Sequence, residues 1–278
     1  MTEPDVLGIA AAPISSLDAE AVKGCCASAY ASEAARWLLG EHFHPGGAAL
    51  TSRLARALEV AHDSTVVDVA SGRGASSIQL AQEHGCAVIG VDLAPGNVAA
   101  ASMAAEEASV GDLVSFVHGD AERLPLEASS ADGILCECSL CIFPDTSAAA
   151  SEMARVLRPG GRLALSDVTA VPNELPEGLK NVAAVVACLG AAQTLETVSG
   201  VLEESGLVVE ETERHDEALV EMIGQVEGRL RLARLAKSQL PEALVGGVDR
   251  ALELVRLAQS TLAEGVLGYG VVIARKPS

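Results

Sequence analysis

The sequence predicts an α/β fold, a Rossmann-like doubly wound sheet in which helices alternate with strands. Between Thr65 and Val98 an apolar run (Val66, Val67, Val69) leads into a loop of small residues around an acid (Asp68, Ala70, Ser71, Gly72, Arg73, Gly74). A helical pattern follows, then a second apolar run closing on Asp92. That is strand, tight loop, helix, strand with a terminal carboxylate, the first half of a nucleotide-binding sheet. The second observation is that the alternation continues through four more apolar runs and ends on one more, at 265–277. A small-residue loop by itself also fits a plain tight turn, but small side chains let a backbone approach a ligand. Asp68, Ala70, Ser71, Gly72 and Gly74 are therefore candidate cofactor contacts. Asp92, with Leu93 beside it, stands where a carboxylate accepts from two ribose hydroxyls.

In chain order, residues 1–20 carry Pro, Ser and acids without a long period and are expected on the surface. From Ala21 to Leu39 apolar residues recur at helical spacing, with Cys25 and Cys26 in the lead-up. EHFHPGG (41–47) reads as a loop because Pro45, Gly46 and Gly47 break any helix, and Ala48–Leu58 reads as a second helix. These segments predict an N-terminal helical cap (1–60) on a main domain (61–278). His42 and His44, next to Glu41, share a face only in an extended segment and lack a further ligand, so loop packing outweighs a metal site. Strands are expected at Val114–Val117, Gly133–Cys138 and Arg162–Val168, the last preceded by a helix (Thr146–Leu157) that Pro159, Gly160 and Gly161 stop. A helical stretch from Lys180 to Ala192 carries Cys188, and Leu207–Arg214 reads as a sixth strand. Residues 216–262 read as a helical insertion broken at Pro241 and at Gly246-Gly247, before the final strand.

Composition narrows the possible partners. A formal charge of −19 repels the phosphates of nucleic acid, leaving a small neutral or cationic partner. No apolar run approaches the roughly 20 residues that span a bilayer, and the first twenty residues lack the basic start of a secretory leader, so the cytoplasm is the expected location. There the seven cysteines should be thiols rather than a disulfide framework. One Trp, two Tyr and three Phe leave the core to Ala, Val and Leu.

Four segments in order, VVDVASGRG (66–74), VIGVDLA (88–94), FVHGDAERLPLEASSADGILCE (116–137) and ARVLRPGGRLALSDV (154–168), resemble the class I S-adenosylmethionine-dependent methyltransferases. One departure is Ala70, where the loop's first glycine is usual; alanine still leaves room for a cofactor. The resemblance implies S-adenosylmethionine as cofactor and a seven-stranded sheet whose last strand is antiparallel. It also implies Asp120 and the Ala121 backbone as adenine contacts, a role compatible with Asp120 capping a short helix. Glu137, at the end of the fourth strand, joins the expected cofactor group.

Cys136, Cys138 and Cys141 lie at the strand edge where such sheets bind ligands, and strand alternation predicts Cys136 and Cys138 on one face with Glu137 opposite. Any single cysteine can be a small buried hydrophobe, the reading favoured for Cys86. The combination CECSLCIFPD, LSDVTAVPNELPE and CLGAA is similar to the arsenite methyltransferases, matching their cysteines at Cys138 and Cys188 and, loosely, at Cys25 and Cys26. The context CCASAY and the insertion 216–262 depart from that family. The resemblance implies thiolates gathered from distant segments around trivalent arsenic, a soft centre that soft ligands favour, and a thiol reductant as partner. Rates should then fall as the cysteines are protonated. Two alternatives stand beside it. One is a methyltransferase of a small organic acceptor (O, N or C) needing a base from Glu137, His42, His44 or His215; the other is a cysteine-based metal or metalloid sensor, which need not bind the cofactor.

Overall fold

The computed structural model describes residues 18–181, 188, 189, 191–235 and 242–278. Three helices come first, α1 (Ala19–Tyr30), α2 (Glu33–Leu39) and α3 (Gly47–Ala57). The alternating part follows: β1 (Thr65–Val69), α4 (Ala75–His84), β2 (Ala87–Asp92), α5 (Pro95–Glu107), β3 (Val114–His118), β4 (Ala131–Glu137), α6 (Thr146–Val156) and β5 (Leu157–Ala170). The chain ends with α7 (Leu195–Glu204), β6 (Val208–Arg214), α8 (Asp216–Leu235), α9 (Glu242–Ala263) and β7 (Leu267–Arg275).

The seven strands form one sheet in the order β3-β2-β1-β4-β5-β7-β6. β1 to β5 run parallel, and β7 is antiparallel to both its neighbours, as expected. One face packs on Leu50 and Leu54 of α3, Leu80 of α4, Leu219 and Ile223 of α8, and Leu252 and Val255 of α9. The other packs on Ala149 and Met153 of α6 and on Val198 and Leu202 of α7. None of the helices among the described residues is long and apolar enough to cross a membrane.

Several boundaries differ from the sequence reading. The single helix expected over Ala21–Leu39 is two, because Ser32 restarts it: its Oγ accepts from Ala35 N at 3.1 Å, an N-cap that the apolar period runs straight through. The fifth strand starts at Leu157, which pairs with Ala131, so Pro159–Gly161 form an irregularity inside the strand rather than a loop before it. Gly246-Gly247 does not break the second inserted helix; packing of the following turns on the sheet outweighs the glycines' weak propensity. Pro241 lies outside the described residues, as do 182–187 and 190 of the helix expected over Lys180–Ala192, whose described residues Cys188 and Ala191 are in turns. Helix α7 had no counterpart in the sequence reading.

Gly74 owes its place to packing. Its φ is +84°, and a Cβ there would stand 2.5 Å from Phe116 Cζ and 3.0 Å from Ala101 Cβ. Gly74→Ala is expected to lower stability by about 1–3 kcal/mol through overpacking and the left-handed backbone, read as a shift in the urea unfolding midpoint without a change in slope.

Candidate active site

The order of the sheet reverses between β1 and β4, and a half-open cleft lies at the carboxyl ends of β1, β2 and β4. Such a switch point is where open α/β sheets bind ligands. Of the sequence candidates, Asp68, Ala70, Ser71, Gly72, Asp92, Leu93, Glu137, Cys138 and Cys26 line it. Ala70 has φ +59°, a left-handed turn that explains why glycine is usual there. Asp92 organises the rim: its Oδ2 accepts from Gly72 N at 2.8 Å, while Oδ1 accepts from Ala94 N at 2.9 Å and from Asn97 Nδ2 at 3.1 Å.

Gly74, Asp120, Ala121, Cys25 and Cys188 are placed behind or beside the cleft rather than in its wall. Asp120 is tied to the cap: Lys23 of α1 bridges Asp120 Oδ2 at 2.7 Å and Glu122 Oε2 at 2.6 Å. Against the cost of burial, these bonds raise the Lys23 pKa, and Asp120 is correspondingly held below the usual carboxylate range.

The cleft floor is acidic and dry. Asp68 is 3% exposed, accepts from Ser77 Oγ at 2.6 Å, and burial pushes its pKa up to about 8. Burial likewise pushes Glu137 up to about 7, although Thr51 Oγ1 donates to its carboxylate at 3.1 Å. His44 faces the same carboxyl at 3.6 Å, with Nδ1 on Pro45 O at 3.2 Å; burial lowers its pKa to about 4, leaving it neutral. Three buried polar atoms in the cleft-lining residues have no hydrogen-bond partner: His42 Nδ1, Ser71 Oγ and Asn97 Oδ1. Unpaired buried acceptors and donors of this kind are costly unless a ligand meets them.

Sulfur gathers at one side. Cys188 lies 3.3 Å from the Tyr30 hydroxyl and, as a thiol, donates to Cys138 O at 3.5 Å. Interaction with the Cys138 thiol first, and then with that of Cys141, holds its pKa well below the usual thiol value. Those two thiols shift the opposite way, Cys138 chiefly through its interaction with Cys188 and Cys141 chiefly through burial. Cys26 lines the cleft, its pKa pushed up to about 12 by burial and then by the charge of Cys188, whereas Cys25 is half-buried outside the cleft wall. Cys138 and Cys188 both adopt left-handed backbone, with φ of +50° and +61°.

That turn corrects the expectation that Cys136 and Cys138 share a face. β4 ends at Glu137, and the left-handed Cys138 reverses the alternation, so Cys136 packs in the core on the α6 side while Cys138 packs on the other side of the sheet. Cys86 is fully buried in the core. The sequence reading gives no role to Tyr30, Thr51 and Lys23, whose partners are distant in sequence, nor to Asn97, which bonds Asp92 five residues away. It noted Cys141 without a role, although its spacing of three from Cys138 was a usable signal.

Residues 67–165 match the family model described as a methyltransferase domain. The chain is 36% identical over 168 residues to 27-O-demethylrifamycin SV methyltransferase of Amycolatopsis mediterranei, a match covering 59% of this chain and 61% of that protein. It is 31% identical over 163 residues to an arsenite methyltransferase of Halobacterium salinarum, covering 57% of this chain and 41% of that one. The match thus spans about three fifths or less of these curated relatives. Among solved structures, phosphoethanolamine N-methyltransferase 2 of Haemonchus contortus, in complex with S-adenosyl-L-methionine, has the same fold. Its TM-score is 0.74 at 20% identity, over 88% of this chain and 56% of that one. In match and in sheet order alike, residues 67–165 resemble the class I methyltransferases. S-adenosylmethionine is the cofactor of that class.

Proposed function

We propose that this protein is an S-adenosylmethionine-dependent methyltransferase whose acceptor is a trivalent metalloid held by thiolates, arsenite first among them. The observation that carries the acceptor is the meeting of Cys138 and Cys188, 50 residues apart, beside the cleft at the sheet's switch point. The residues fit the cofactor: Asp92 has carboxylate lone pairs for ribose hydroxyls, the 70–74 loop brings backbone close, and Ser71 Oγ and Asn97 Oδ1 lack partners that a nucleoside supplies. When bound, the cofactor supplies an electrophilic methyl group on a positively charged sulfur.

The cysteines do the rest. Thiolates displace hydroxide from the metalloid and leave it trigonal, with its lone pair free. No general base is needed, because the acceptor atom carries no proton to remove. Positioning is then the main contribution, worth up to about 7–11 kcal/mol when reacting atoms are held at near-attack distance. A thiol reductant keeps the cysteines available. The direct test is transfer of labelled methyl from S-adenosylmethionine to arsenite before and after a thiol-blocking reagent; turnover that the reagent leaves intact sinks the thiolate reading.

A second reading has an observation of its own. Glu137, raised to about 7 and hydrogen-bonded by Thr51, is a base of suitable strength for a small organic acceptor. Turnover of a hydroxyl or amine acceptor that is insensitive to thiol blocking, with none of arsenite, favours it.

The buried acids also set a pH dependence. Asp68 and Glu137 bind their protons more tightly folded than unfolded. The stability they contribute is therefore fully present below the ordinary carboxylate range and is lost as pH rises through about 7 and about 8. A cationic ligand reverses the preference by favouring the ionised forms. Affinity for S-adenosylmethionine is accordingly expected to rise as pH passes through about 7 and about 8, whereas S-adenosylhomocysteine, a zwitterion without the sulfonium charge, shows a flatter profile. Calorimetric titrations across that range check it, and parallel profiles count against it.

A further inference from the structure

We infer that the third sulfur of the metalloid cradle is Cys141, from the same strand-end turn as Cys138, and not the N-terminal pair Cys25 and Cys26. The inference rests on the thiolate reading above and specifies its ligand set. Past β4 the left-handed Cys138 leads into a short 3-10 turn, Leu140–Ile142, closed by Ile142 N donating to Ser139 O at 3.1 Å. This brings residue 141 back alongside residue 138. Both are anchored to β5: Cys138 N donates to Ser166 O at 2.7 Å, and Cys141 N donates to the buried carboxylate of Asp167 at 2.7 Å. Asp167 is itself fixed, its Oδ1 accepting from Val168 N at 2.7 Å.

Cys141 and Cys188 are buried in the same core cluster and Cys138 packs against it, with the Tyr30 hydroxyl 3.3 Å from the Cys188 sulfur. Cys26, on α1, belongs to neither of the two core clusters. Cys136 is turned away, its sulfur 3.2 Å from Ser139 Oγ on the far side of the sheet. Cys138, Cys141 and Cys188 thus gather on one side of the sheet, with the Cys188 sulfur 3.5 Å from the Cys138 carbonyl. Among the described residues they are not preassembled as a metal site, so a ligand must draw them together.

Arsenous acid carries three exchangeable hydroxides. As each sulfur–arsenic bond forms, one arsenic–oxygen bond breaks, and the thiol proton leaves with that hydroxide as water. Three exchanges release three waters and leave arsenic trivalent, so no oxidant or reductant is consumed. A three-sulfur cradle also confers selectivity: a centre that already bears a methyl has only two hydroxides to exchange and cannot engage all three sulfurs.

The experiment is arsenic K-edge X-ray absorption on the full chain loaded with one equivalent of arsenite. It compares the unaltered protein with Cys141→Ser, Cys141→Ala and Cys26→Ser, each first shown to melt cooperatively. Expected are three arsenic–sulfur bonds in the unaltered protein and in Cys26→Ser. Both Cys141 variants should show two sulfurs and one oxygen, with arsenite affinity lower on the order of tenfold. Three sulfurs retained in a folded Cys141 variant overturn the inference, as does loss of a sulfur in Cys26→Ser. An unaltered protein that binds S-adenosylmethionine but takes up no arsenite overturns the thiolate reading itself, a result visible without any variant.

Discussion

Changing Cys138 or Cys188 to serine is expected to abolish arsenite methylation, with kcat/KM falling on the order of a thousandfold or more, since the lost effect is positioning of the reacting atom. Serine keeps the size of the side chain but offers a hard oxygen in place of a soft sulfur. Cys138 sits in the cleft wall and Cys188 beside it, and neither belongs to the Asp92 hydrogen-bond network. Affinity for S-adenosylmethionine should therefore change little. Radiolabel transfer and calorimetry on the same samples separate the two effects. Full arsenite turnover in both variants would remove the thiolate cradle.

Asp92→Ala should show the converse. Each hydrogen bond to a charged acceptor is worth about 1.5–3 kcal/mol, so losing the ribose acceptors costs cofactor affinity on the order of a hundredfold. The substitution also strands Gly72 N, Ala94 N and Asn97 Nδ2, which Asp92 now satisfies. Asp92→Asn, which keeps one acceptor oxygen, should fall between wild type and Asp92→Ala in both affinity and melting temperature. Arsenite binding without cofactor should stay unchanged, and a parallel loss of both affinities would show that Asp92 is merely structural.

Where sequence and structure agree, the physics is local. A loop that needs small residues, strands that alternate, and a final run fit to close a sheet edge are all written within a few neighbouring residues. Asp68, Ala70, Ser71, Gly72 and Asp92 could be placed at the cleft for that reason. Other features depend on a single backbone torsion or on long-range packing. Strand alternation carried the reading of Cys136 and Cys138 one residue too far, because nothing in CECSLC announces that Cys138 has φ +50°. The break at Ser32 is a cap inside an unbroken apolar period. The Lys23 bridge to Asp120 spans 97 residues, and no period can foretell it. The pairing of Cys138 with Cys188 was reachable only through family likeness, since their meeting is made by the fold.

The two left-handed cysteines have a thermodynamic corollary. At φ +50° and +61° an L-residue gives up roughly 1–2 kcal/mol that glycine would not. The polypeptide thus carries sulfur at two bends where a hydrogen in place of the side chain would make it sturdier. On the thiolate reading proposed above, the sulfur chemistry at these two bends is what offsets that conformational cost.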